Sequence, residues 1–543
     1  MVVARNLLGL IVLVATPAVA ADFDLTDVIV GGPPVSLTAP RLEVRGASIS
    51  RDEALALLAP TGGASSIAGL SSLKAERLTA PELVIDTTLF GNAQRTVYRN
   101  AVLTGLDHGR LAHVEAAGYE SISTAPPRRM TCATVRAAGV DVAAMARGAF
   151  DGAGAQGAGA AHADAGAQPA VAAQEFSAND CTIVADNVSI TLARVAGKEL
   201  STTPSPAPTA GGTALDGAMT IGGASLSSVM ITNLVSTLGL SQLTIESAAV
   251  AAPDGGGLKP GVTFSTLLME EVKNGRAGRV RLENLARGAG ADKFSVGALV
   301  ITGLDLKSPI AARAATPPRQ ASPRFDAFEA DAITLGDMTV ARMRAEARQW
   351  LAIAPTDVSL TFSGLVAPAS LAGALGLAKF GYRFVEASGV LTMRYDGEKQ
   401  TLSLSELGVD GVGVGAARLA LNVAHLSPNA FSGDPSPMQA AWAGAALAGV
   451  SIRLEDKGLL SAIDAHPETE LSRAALLKAA ERPLASLVAD ADQATAAKSV
   501  ELFVMKGAPL TMDFKAEPPV GFAAMVILGL RALKGFKLVA KAQ

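Results

Sequence analysis

GVLTMRYDGEKQTLSLSELGVDGVGVGAARLALNVAHL, residues 389–426, decides the fold. Apolar and polar or small residues alternate through it with the two-residue period of a strand that has one buried face. The runs part around Asp396-Gly397 and again around Asp410-Gly411. Asp-Gly between alternating runs is a turn signal, because glycine takes φ > 0 without a Cβ clash. The stretch predicts an antiparallel meander.

The same alternation recurs outward from there. Val35 to Val44, Ala80 to Thr87, Cys181 to Leu192, Leu243 to Val250 and Phe294 to Leu306 each read as a strand. A weak internal repeat accompanies them. VLTGLDHGRLAHVEA (102–116) and LLMEEVKNGRAGRVRLE (267–283) superpose His108-Gly109-Arg110 on Asn274-Gly275-Arg276 and Val114 on Val280. That predicts two similar β-hairpins, although any two hairpins share much of such a pattern.

Helices are fewer. Ser50 and Glu53 form a capping box before EALALLA, which predicts a helix from Arg51. Val135 to Phe150 and Pro368 to Lys379 are further candidates. Pro467 to Ala480 has Pro in its first turn, early acids, later Arg and Lys, and Pro483 as a stop. Linkers stand out by composition: the Ala/Gly-rich run 149–174, STTPSPAPTAGG (201–212) and ARAATPPRQASPR (312–324). The expected organisation is a signal peptide (1–20), an N-terminal β-rich unit (21–148) and an Ala/Gly-rich linker (149–178). A middle β-rich unit (179–311), a Pro-rich linker (312–324) and a C-terminal unit of β-meander and helices (325–543) follow. The fold class is mainly β (α+β): an extended or repetitive antiparallel sheet with a few short helices, in two to three linked units. A closed barrel, an open groove and a sandwich share this alternation.

The N-terminus reads as a secretory signal. Arg5 supplies the positive region, Leu7 to Ala15 the apolar segment, and Ala18-Val19-Ala20 the small residues of a cleavage site before Ala21. The apolar segment is shorter than the roughly 20 residues a spanning helix needs. An uncleaved anchor is the alternative. No Cys stands near the site, which argues against a lipoprotein. The expected location is the periplasm. Cys132 and Cys181 are the only cysteines, and an oxidising compartment lets an even pair join. A Cys132–Cys181 bridge would then close the base of the Ala/Gly-rich excursion; two separate buried thiols are the alternative.

Composition narrows the function. Charged residues make up 18%, hydrophobic residues 49% and aromatic residues 4% of a chain with net charge −4. No basic face interleaved with stacking aromatics exists, so nucleic acid is not an expected partner. The five histidines, His108, His113, His162, His425 and His466, stand singly. No HExxH or CxxC spacing, no Gly-x-Ser-x-Gly elbow and no phosphate-binding loop occurs. Glu455 and Asp456 are adjacent, so on a strand they face opposite ways; they read as a polar turn. Met269-Glu270-Glu271 reads as the polar part of a sheet edge. No catalytic residue, metal ligand or cofactor is expected, and the protein reads as non-enzymatic. Val520 to Leu530 is apolar and is followed by Arg531, Lys534, Lys537 and Lys541. It suits a final element packed on the sheet, or a contact with lipid or a membrane surface.

From Gly381-Tyr382 onward the order of features resembles the C-terminal region of an uncharacterised group of alphaproteobacterial exported proteins. The features are YDGEKQTLSLSEL, a second strand pair, IRLEDKGLLSAI, a helical stretch, FVMKGAPLTMDF with Pro-Pro-Val, and the apolar C-terminal segment. More loosely, the long amphipathic strands look like envelope proteins of the AsmA type, and that likeness implies a sheet curved into a lipid-holding groove. Two functions follow as expectations: holding lipid or another apolar ligand in a sheet groove, or a structural or assembly role in the envelope through protein partners.

Overall fold

The computed structural model describes residues 20–32, 35–58, 73–89, 92–124, 127–142, 170–185, 188–202, 218–221, 224–227, 238–254, 257–273, 275–288, 293–305, 324–351, 354–469, 471–488, 492–528 and 536–542. The signal-peptide segment 1–19, His162 and most of the three linkers lie outside them. Strands dominate, the pairing is antiparallel, and helices are few and short, as the alternation predicts. Two compact units form: Met1–Asp186 with Ala196–Ala207, and Asn187–Val195 with Pro208–Gln543.

The first unit carries β1 (Ala21–Gly32), β2 (Val35–Ala47), β3 (Ala75–Leu89), β4 (Asn92–Leu106), β5 (Arg110–Ala116), β6 (Gly118–Thr124), β7 (Pro127–Asp141) and β8 (Ala170–Ala185). β4 pairs with β5 along one half and β6 along the other, and both then pair with β7. Helix α1 (Arg51–Leu58) starts where the capping box predicts: the Ser50 N–H and hydroxyl both donate to the Glu53 carboxylate at 2.8 Å. An apolar row crosses seven strands in register, Phe23–Val44–Leu78–Leu103–Val114–Ala137–Phe176. Around it a core of Leu25, Val44, Leu78, Leu106, Leu111 and Val140 is buried.

After β9 (Val188–Thr202) and the short pair β10 (Ala218–Ile221) and β11 (Ala224–Ser227), the second unit is one long meander. Its strands are β12 (Leu238–Asp254), β13 (Gly257–Lys273), β14 (Arg276–Arg287), β15 (Phe294–Asp305), β16 (Ala327–Leu335), β17 (Met338–Leu351) and β18 (Ala354–Ala367). They continue as β19 (Val385–Asp396), β20 (Thr401–Gly411), β21 (Gly415–Ala424), β22 (Ala446–Asp456), β23 (Leu510–Gly521) and β24 (Lys537–Ala542). Each pairs with the next. Helix α2 (Ala369–Ala374) follows β18; between the last six strands stand α3 (Pro435–Gly444), α4 (Leu459–Ala465), α5 (Arg473–Leu487) and α6 (Gln493–Lys506), and α7 (Phe522–Leu528) follows β23.

Both halves of the sequence repeat are hairpins in the same register. Leu103 faces Val114 and Met269 faces Val280. Gly109 and Gly275 sit in the two loops at φ 76° and 78°.

Several expectations change. Val135 does not start a helix: β7 runs through Val135 to Asp141 on ladders to β5 and β8, which bury Val140, and residues 143–150 lie outside the description. Pro467–Thr469 is only a 3₁₀ turn, and α5 starts later, where the Ser472 hydroxyl caps the Ala475 N–H at 3.1 Å. It runs past Pro483, since Leu484 and Val488 pack into the core and outweigh the hydrogen bond a proline forgoes. The helix expected over 368–379 divides at Gly376, whose φ of 74° leads into a 3₁₀ turn. Cys181 to Leu192 is two strands, β8 ending at Ala185 and β9 starting at Val188.

The turns of the opening stretch also differ. At Asp396 the carboxylate, rather than the glycine, makes the turn: Oδ1 accepts from the Glu398 and Lys399 N–H groups at 3.1 Å, and the left-handed residue is Gln400 at φ 51°. Asp410 and Gly411 finish β20, and the next reversal uses Gly413 at φ 70°. Residues 170–178, placed in the Ala/Gly-rich linker, belong to β8. The boundary expected at 312–324 falls inside one sheet, because β15 and β16 on either side pair directly.

Candidate functional site

The meander places one apolar side chain per strand in a continuous row. Over β12–β18 it reads Leu243–Met269–Val280–Ile301–Phe328–Ala345–Leu360. It continues as Leu391–Leu407–Leu419–Ile452–Met512–Ala540 to the last strand. A second row lies beside it, Ile245–Leu267–Leu282–Leu299–Ala330–Met343–Phe362. Neither row holds a charged residue. At about 4.8 Å between strands the thirteen-strand row is roughly 58 Å long, and the part over β12–β18 roughly 29 Å.

Charge collects on the opposite face. Arg281 pairs with Glu283 at 2.7 Å, Arg342 with Asp331 at 2.8 Å, and Arg344 and Arg348 with Glu346 at 2.8 and 2.9 Å. Such exposed pairs contribute little stability. What they show is direction: this face meets water and the other does not need to.

The two apolar rows are bordered by creases. Ser247, Asn284, Ala332 and Gly364 have φ of 49°, 52°, 52° and 61°, the left-handed region that favours glycine, in the middle of alternate strands. Each faces a small residue on the strand between. Asn284 donates to the Ser265 hydroxyl at 2.9 Å. A Cβ on Gly297 would lie 3.0 Å from the Ala332 methyl, and one on Gly364 only 2.6 Å from that of Ala341. A second crease uses Glu271 and Gly303 at φ 55° and 65° on β13 and β15, with Gly278 facing Glu271. From β12 to β18 the register is unchanged across each crease, so both strands shift the phase of their alternation together; at Gly364 the pairing of β18 with β19 slips by one residue. On β14 the inward residues are therefore Ala277, then Val280 and Leu282, then Leu285. A lane two residues wide runs between the creases, perpendicular to the strands.

What covers this lane changes along it. From β21 onward it is roofed by helices: Val450, Ile452, Met512, Phe514 and Leu538 pack against Leu484, Val488 and Ala496, and Val500, Val504, Leu476 and Leu477 cover Leu454 and Leu510. Arg473 ties the roof together. Its guanidinium donates to both Asp464 oxygens and to the Val504 and Met505 carbonyls, at 2.7 to 3.0 Å. Over β12–β18 no lane side chain belongs to a described core cluster that includes a helix, and most of the lane's side chains are half-buried.

The residues singled out by sequence are dispersed. Cys132 and Cys181 form a disulfide, with Cα atoms 4.1 Å apart as a cross-strand pair of β7 and β8. It lies well inside that hairpin, so the ladder beyond it, Ala138↔Glu175, rather than the bridge, closes the excursion. His108 sits in a turn beside Asp107, and its ring nitrogen and Lys74 both meet the Asp107 carboxylate, holding that group below its ordinary pKa. His113 is on β5, His425 follows β21, and His466 ends α4 against Glu468 at 2.9 Å. Asp456 accepts from the Leu460 N–H at 3.0 Å and starts α4, while Lys457 reaches back to Asp410; the stretch is the strand-to-helix turn its polarity suggests. Glu270 and Glu271 are not at a sheet edge, because β13 has partners on both sides. Of the C-terminal apolar segment, Phe522 and Met525 pack into the core. Among the described residues no group of three His, Cys, Asp or Glu side chains is placed to hold a metal ion, and no helix is long and apolar enough to cross a membrane.

Sequence reading missed the lane itself. Alternation marks which residues share a face within a strand, but not which residues of successive strands meet. No family model and no curated protein matches the chain.

Proposed function

We propose that the lane over β12–β18 holds the acyl chains of lipid, and that the protein is a non-catalytic, exported protein of the periplasm. The observation that carries this reading is the uncharged double row, which no described helix joins in a core cluster, while the ion pairs described on those strands lie on the other face. Half-exposed aliphatic side chains in one file gain from any apolar partner in proportion to the area covered. An acyl chain is a partner of the right form, long, narrow and without polar groups. One leaflet of a bilayer is about 15 Å of hydrocarbon, so the 29 Å lane accommodates about two chains end to end. The disulfide suits an oxidising compartment.

Native mass spectrometry of the mature protein purified from a periplasm tests the proposal. Lipid adducts are expected on the wild type and should disappear in Ile301→Lys, which sets a charge in the middle of the lane. Repeated preparations without any adduct overturn the reading, and a stable protein partner in place of lipid would favour a scaffold of the envelope.

A further inference from the structure

The second unit's outer face has a feature that folding does not call for. Arg418 on β21 stands directly opposite Arg453 on β22, and Lys515 on β23 directly opposite Lys537 on β24. Like charges directly opposite across a ladder oppose sheet formation. Both pairs are exposed, and Lys541, opposite Thr511, adds a fifth cation to the same face. Val539 lies among them, between Lys537 and Lys541 on its strand, and is 42% exposed. Four acids share the face with the five cations, so it carries one net positive charge: Glu406 pairs with Arg418 at 3.2 Å, and Asp513, which accepts the Ser451 hydroxyl at 2.5 Å, stays anionic. Glu455 and Glu517 stand two residues along their strands from Arg453 and Lys515 without an ion pair among the described residues. Lysines on the edge strand β24 also discourage edge-to-edge pairing, but Arg418, Arg453 and Lys515 are on interior strands, where that need is absent.

We propose that this outer face of β21–β24 is a contact surface for an anionic bilayer. Phosphate headgroups would relieve the two like-charge pairs, and the exposed Val539 matches the headgroup–acyl boundary, where small apolar side chains gain by partial insertion. No exposed aromatic side chain accompanies the cations on these strands, so the patch lacks the stacking platforms by which single-stranded nucleic acids are held. The surface is on the other face of the sheet from the acyl lane, and the inference does not depend on that lane being occupied.

The test is co-sedimentation of the mature protein with vesicles of phosphatidylcholine, alone or with about a third phosphatidylglycerol. Binding to the anionic vesicles is expected, weakening with salt, with none to the neutral ones. Each cation removed should weaken it about fivefold, so Arg453→Gln, Lys515→Gln, Lys537→Gln and Lys541→Gln together should nearly abolish it. The fourfold variant should melt no lower than the wild type, since it removes like-charge contacts, and should keep any co-purified lipid. Unchanged vesicle binding by the folded fourfold variant overturns the proposal. So does equally tight binding of duplex DNA at the same salt, which would mark a general polyanion surface. Wild-type protein that binds the anionic vesicles but carries no co-purified lipid would count against the acyl lane alone.

Discussion

β12–β18 and β19–β24 belong to one meander and share one apolar row, yet they differ in what lies over it. On the last strands a conventional core lies beside the row: Phe514 on β23 and Phe536 just before β24 are 5% and 2% exposed beneath helices inserted between the strands. The row's own Leu419, Ile452 and Met512 are half-buried. On the earlier strands the connections are short hairpins or fall outside the described residues, and residues of equal hydrophobicity are left half in water. The comparison separates two uses of the same pattern. A strand's alternation says that one face avoids water; whether the chain itself or a ligand satisfies that face depends on what the loops contribute.

The sharpest way to break this contrast is by truncation. Phe514→Ala removes a fully buried ring and should cost about 3–5 kcal/mol, whereas Ile301→Ala in the open lane should cost about 1 kcal/mol, because much of its surface is already wet. Denaturant unfolding of purified, delipidated protein measures both. Equal losses would mean that the lane is covered as well as the core.

The creases give a smaller effect. Gly364→Ala forces a Cβ into the left-handed region and against Ala341, with an expected loss of about 1–2 kcal/mol. Ala332→Gly, at the matching position of β16, should be neutral or slightly stabilising by the same argument. If both changes are neutral, the creases are incidental to the lane.

The smallest effect is acidic. Hydrogen bonds from the Lys399 and Glu398 N–H groups hold the Asp396 carboxyl below its ordinary value of 3.8. A lowered folded pKa stabilises above that value, and the contribution fades as pH falls through the folded one. Wild type should therefore exceed Asp396→Asn in stability near neutrality, and the difference should shrink as the pH falls below 3.8 and through the lowered folded value. A constant difference across that range would show that the turn owes nothing to ionisation.

Much of the sheet was legible because period-two alternation is strong in stretches such as 389–426. The observed strands are longer than those read from sequence, for instance Leu238–Asp254 against 243–250. The reason is the creases: each shifts the phase by one, and a shifted alternation looks like the end of a strand. Asn284 and Ala332 carry no local sign of a left-handed backbone, which is imposed by the pairing on both sides. The disulfide was legible from the count of cysteines, its place within the hairpin was not. The lane was illegible for a different reason, since it is a property of registers between strands up to hundreds of residues apart in sequence, such as Leu243 and Ala540.

The shared register of the hairpins at Leu103/Val114 and Met269/Val280 bears on how such a chain could lengthen. A duplicated hairpin inserted into the meander would bring its own apolar pair and its own crease residues, leaving the neighbours' contacts intact. It would add about 10 Å of path, two strand spacings, while leaving the width untouched. Reach and bore are thus inherited separately, and the number of hairpins becomes a ruler that gene duplication can extend.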